Sequence, residues 1–74
     1  MKIRQYYEVS VGDRSAWAPS LRDACEAAES MFGRVYEFAE TKIQRGGPPL
    51  RRSRIVADYS DPELTVPTKW SAWK

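Results

Sequence analysis

A single cysteine, Cys25, and no histidine in 74 residues leave this chain without a covalent or metal staple. An intramolecular disulfide needs two thiols, and a structural zinc site needs three or four nitrogen and sulfur ligands. A chain this short buries only about 60% of the surface its unfolded form exposes, so hydrophobic burial alone must carry a thin margin of stability. The apolar residues must therefore fall in periodic elements around one small core.

The periodicities are legible. KIRQYYEVSV over 2–11 alternates as a strand, with Ile3, Gln5, Tyr7, Val9 and Val11 on one face and Lys2, Arg4, Tyr6, Glu8 and Ser10 on the other. Gly12-Asp13 suits a tight hairpin turn into a return strand, Arg14 to Ala18. A two-residue loop sets Val9 against Ala16 and Tyr7 against Ala18, and puts Trp17 with Glu8 and Tyr6; a three-residue loop reverses Trp17. Pro19-Ser20 ends the strand, and Ser20 with Asp23 has the form of a capping box. Leu21, Ala24, Cys25, Ala28, Met31 and Phe32 then recur at helical spacing, and Gly33 is placed as the C-terminal cap.

RVYEFAETKIQR over 34–45 fits either helical spacing or a strand. Its Val, Tyr, Phe, Thr and Ile content, directly after a helix stop, favours the strand. GGPP at 46–49 is a loop, and RSRIVADY is a further strand with Ile55, Ala57 and Tyr59 on one face. The expected fold is α+β: a single β-β-α-β-β domain over 1–59, one helix on an antiparallel sheet of about four strands. Residues 60–74 form an extended tail packing on the domain or on a partner. Its apolar content is Leu64, Val66, Trp70 and Trp73.

Two tryptophans three residues apart in a tail need a surface to cover. Either they close the face of the sheet that the helix leaves open, over Tyr6, Trp17, Tyr36 and Phe38, or they anchor a partner. Tryptophan is enriched among interface hot spots. The reading here sets Trp70 inward and Trp73 as the more available ring. The expected partner-binding set is Trp73, Trp70, Trp17, Tyr6 and Tyr36.

Charge is segregated. Residues 1–41 carry five basic and seven acidic side chains, residues 55–74 two basic and three acidic. Between them Lys42, Arg45, Arg51, Arg52 and Arg54 stand with no acid. Such a cluster could track a phosphate backbone or an acidic partner, or could simply keep a hairpin soluble and its edge unpaired. The β-α-β-β-α-β order and motifs of an RNA-recognition domain are absent.

Catalytic signatures are missing. No histidine means no Ser-His-Asp or Cys-His arrangement. Cys25 falls on the inner face of the helix as a small core residue, and the phosphate-cradling glycine patterns do not occur. The expectation is a protein that is not an enzyme and takes no metal or cofactor. With no signal-peptide pattern and no apolar run of membrane-spanning length, it reads as soluble and cytoplasmic.

The arrangement KIRQYYEVSV–GD–RSAWAP–SLRDACEAAESMF–GRVYEF resembles the small hairpin-helix-strand proteins of bacteriophage accessory regions, among them anti-CRISPR and other anti-defence inhibitors. The resemblance covers about the first 40 residues, in size and layout. It implies a monomeric or homodimeric inhibitor in the bacterial host cytoplasm that blocks a protein or ribonucleoprotein complex by occupying a functional surface. The alternative is a small nucleic-acid-binding protein that uses the basic 42–54 segment.

Overall fold

The computed structural model of the chain describes residues 3–41 and 46–74. Lys2, Lys42, Ile43 and Arg45, named in the sequence reading, lie outside the described residues. The elements are β1 (Ile3–Val11), β2 (Arg14–Ala18), α1 (Leu21–Met31), β3 (Arg34–Thr41) and β4 (Arg51–Asp58). They form one antiparallel sheet in the order β2-β1-β3-β4, with α1 over β1, β2 and β3. The chain is thus α+β, and the 34–41 segment is a strand.

The two-residue turn at Gly12-Asp13 sets the hairpin register. Gly12 takes φ +61°, a value that costs glycine nothing, and Val11 closes on Arg14. Val9 then faces Ala16 and Glu8 faces Trp17, so Trp17 lies on the face away from α1. Ser20 begins α1 with its hydroxyl accepting the Asp23 N–H at 3.2 Å.

The end of α1 differs from expectation. Phe32, not Gly33, takes the left-handed position, φ +54°, and it does so 76% exposed. The Gly33 N–H bonds back to the Ala28 carbonyl at 2.8 Å. Glycine is required at 33 for space. A Cβ there would stand 2.8 Å from Val11 Cγ2 and 2.9 Å from the Ser10 carbonyl.

The core between α1 and the sheet is built from small side chains: Val9, Ala18, Ala24, Ala28 and Val35, with Val35 the largest that is fully buried. Ala24 and Ala28 let the helix sit close on the strands. Tyr7, Val11, Cys25, Val56 and Ala57 pack around them.

A bulge corrects the expected faces of β4. Val35 pairs with Ala57 but Tyr36 pairs with Ile55, so Val56 is an extra residue. Ile55 therefore lies on the open face and Ala57 on the helix side, where the alternating pattern had put both on one side. The bulge likewise sends Arg52 and Arg54 to the helix side, opposite Ala39 and Glu37.

Candidate functional site

The face of the sheet away from α1 carries the large rings. Reading across β2-β1-β3-β4, one row is Trp17, Glu8, Tyr36, Ile55; the next is Tyr6, Phe38, Ser53; the third is Arg4, Glu40, Arg51. Tyr6 and Phe38 face each other across β1 and β3 and stack, ring centroids 5.1 Å apart and planes 7° from parallel. Tyr36 leans on Phe38 at 6.2 Å. The Arg4 guanidinium covers Tyr6 at 5.3 Å and that of Arg51 covers Phe38 at 5.2 Å, while Arg51 also donates to the Tyr6 hydroxyl.

The π surfaces of Tyr6 and Phe38 are thus engaged by each other and by two guanidinium groups. What this column presents outward is ring edges. Trp17, 61% exposed, is the ring on this face with the most free surface.

At one end of the face Arg34 donates to Asp58 at 2.6 Å and to the Tyr36 hydroxyl. Asp58 also accepts the Ser60 hydroxyl and the Ser60 and Asp61 N–H groups. Burial pushes the Asp58 carboxyl up, but these hydrogen bonds outweigh it and hold the group below its ordinary 3.8.

The tail does not cross the aromatic face. It runs beside β4, and its spacing explains how. Thr68, Ser71 and Lys74 donate their N–H groups to the carbonyls of Ile55, Ser53 and Arg51, at 2.9, 2.8 and 3.0 Å. The tail therefore advances three residues for every two of β4. The backbone carbonyls of Thr68 and Ser71 fall out of register, and their hydroxyls accept the Ile55 and Ser53 N–H groups instead, at 2.9 and 3.0 Å. At the last step the Lys74 carbonyl accepts the Arg51 N–H at 3.1 Å.

The same three-residue step brings Trp70 and Trp73 to one side. The Arg52 guanidinium sits 4.5 Å from the Trp70 ring and 4.6 Å from the Trp73 ring, and Arg54 sits 4.6 Å from Trp70. Arg54 also donates to Glu37 at 2.7 Å, and Glu37, only 8% exposed, accepts the Tyr7 hydroxyl at 3.3 Å. Burial, then the Glu37 charge beside it, raises the Tyr7 phenol above its usual value. This ladder fills the part of the helix side that α1 does not reach. Trp70 is half-buried; Trp73 is 36% exposed.

The structure thus groups Trp17, Tyr6 and Tyr36 on the open face and separates them from Trp70 and Trp73. The three described members of the basic cluster are divided as well. Arg51 lies on the open face and is committed to Tyr6 and Phe38, while Arg52 and Arg54 lie on the other side among Trp70, Trp73 and Glu37. Sequence reasoning set Phe38 on the open face but left it out of the expected partner-binding set, and it missed Glu37 as the buried carboxylate that holds Arg54. The available signal was strand alternation, which puts Phe38 two residues from Tyr36, and Glu37 among Val35, Ala39 and Thr41.

Among the described residues, no three His, Cys, Asp or Glu side chains could hold a metal ion together, and no described helix is long and apolar enough to cross a membrane. Comparison of the chain with protein-family models, with curated proteins and with solved structures gave no match.

Proposed function

We propose that this chain is a non-enzymatic binding module that docks on a partner protein through the open face of its sheet. The observation that carries the reading is the inversion of size across the sheet. The side under α1 buries alanines and valines, while Trp17, Tyr36, Tyr6 and Phe38 stand on the uncovered side. Aromatic side chains with arginines among them are the composition of interface hot spots. In its more specific form, which follows the resemblance to phage anti-defence inhibitors, the partner is a bacterial host complex and the effect is blockade of a functional surface.

Ring edges favour a protein partner over a nucleic acid. A nucleobase needs a free aromatic face on which to stack, and those of Tyr6 and Phe38 are taken. The face also carries Glu8 and Glu40 among its arginines, which a polyanion would not favour.

The test is affinity capture from a bacterial lysate with the wild type and with the Trp17→Ala/Tyr36→Ala double variant. The expected result is a stoichiometric protein partner that the folded double variant fails to hold. Capture of no such partner, or equal capture by both proteins, overturns the reading. So does salt-dependent binding to single- or double-stranded nucleic acid at a log–log slope near −3, the signature of about three phosphate contacts.

A further inference from the structure

The two edges of the sheet are finished differently. On β4, the outward N–H and C=O groups of Arg51, Ser53 and Ile55 are all taken up by the tail. On β2 no described residue takes up the outward groups. In a two-residue hairpin the closing pair exchanges both hydrogen bonds, and bonded pairs then alternate along the ladder. Val11–Arg14, Val9–Ala16 and Tyr7–Ala18 are therefore the bonded pairs of β1 and β2, and the N–H and C=O groups of Ser15 and Trp17 point away from the sheet. The same alternation, carried across to β4, leaves outward the three residues whose backbone groups the tail engages.

Edge strands are normally blunted by a proline, a bulge, a lysine or a covering segment. β2 is RSAWA, paired in unbroken register, with Arg14 as its single charge, and it is exposed up to Ala18.

We infer that β2 pairs antiparallel with β2 of a second copy, about a twofold axis through Ala16, to give one eight-stranded sheet. The strand is self-complementary about that point. Arg14 stands opposite Ala18 of the second copy, Ser15 opposite Trp17, and Ala16 opposite itself. Each large side chain meets a small one, and no like charges meet. Ser15 and Trp17 exchange N–H···O bonds with Trp17 and Ser15 of the second copy, four bonds by symmetry. Each Trp17 lies over the serine across the junction, so the two aromatic faces join into one surface.

The contact is an edge with two indoles, smaller than the roughly 800 Å² per partner of a standard interface, so the dimer is weak and concentration-dependent. This pairing is independent of what the open face binds.

The experiment is sedimentation velocity over about 10 µM to about 1 mM, the range a contact of this size implies. The wild-type mass is expected to climb from 8.5 kDa toward twice that value. Ala16→Arg sets two guanidinium groups against each other on the axis and should stay monomeric, with an unchanged melt because Ala16 is exposed. Ala16→Glu should behave alike, and mixing the two variants should restore the dimer. Ser15→Pro, which removes an outward N–H and no bond to β1, should also be monomeric. Amide exchange at Ser15 and Trp17 should slow as concentration rises. A wild type that stays at 8.5 kDa at about 1 mM overturns the proposal. Association that Ala16→Arg and Ser15→Pro leave undiminished also overturns it, and would locate the contact on another surface.

Discussion

The strip of the sheet under α1 and the open face behind it obey opposite rules. Under α1 the side chains are small and closely packed, with Ala24, Ala28 and Val35 fully buried. On the open side the rings are large and are held by one another and by guanidinium groups. The difference teaches where stability and where binding reside. Burial of Val9, Val35 and the alanines fixes the fold, while the ring column is pre-arranged before any partner arrives. Pre-arrangement lowers the cost of binding, because side chains already ordered lose little entropy on contact.

The largest effect should come from the segment that fills the helix side beyond α1. Deleting residues 68–74 leaves the outward groups of Arg51, Ser53 and Ile55 unpaired and strips both indoles from Arg52. The expected loss is on the order of 3–5 kcal/mol, most of what so small a domain possesses, with aggregation through the bared β4 edge. A truncated protein that melts like the full chain would show that the tail contributes nothing to this side.

Next is a direct test of close packing. Ala28 is fully buried where α1 meets the sheet, and Ala28→Leu should cost about 2–3 kcal/mol in chemical denaturation by forcing the helix outward. A neutral result would mean that the helix side has slack and is not the tight face.

A smaller effect is set by pH. The folded Asp58 carboxyl is held below its ordinary 3.8, so its contribution to stability is complete above the unfolded value and is lost as pH falls through the folded one. Stability should therefore be flat on this account from pH 7 down to about 5 and should decline below about pH 4. Asp58→Asn should flatten that acid limb. An unaltered limb in the variant would assign the acid loss to another carboxylate.

The smallest stability change marks the binding face. Trp17→Ala should alter the melt by under about 0.5 kcal/mol, since the ring is mostly exposed, while weakening partner affinity at least about tenfold. A large drop in melting temperature with affinity intact would reverse the assignment of the two faces.

Much of this organisation was legible from residue order. Alternation in 3–11, the Gly12-Asp13 turn, the Ser20 cap and the alanine stripe of α1 are local signals, and each acts within a few residues. They determined the hairpin and the helix and favoured a strand after it, while the face on which Trp17 lies was settled by the observed two-residue turn and its register. Other features rest on contacts between residues distant in sequence. The bulge at Val56 arises where β4 meets β3, and it turned Arg52 and Arg54 to the helix side, against the simple alternation through Tyr59. The place of Trp70 and Trp73 was decided by the mismatch of three tail residues to two of β4. That mismatch needs Thr68 and Ser71 as hydroxyl acceptors and Arg52 as a flat cation between the rings. Sequence by itself determined periodicity, the position of the Gly12-Asp13 turn and the Ser20 cap, because these are energies of neighbouring residues. Only the tertiary structure decided which strand edge the tail would close and which charges it would enclose, because those energies exist only once β4 and the tail lie side by side.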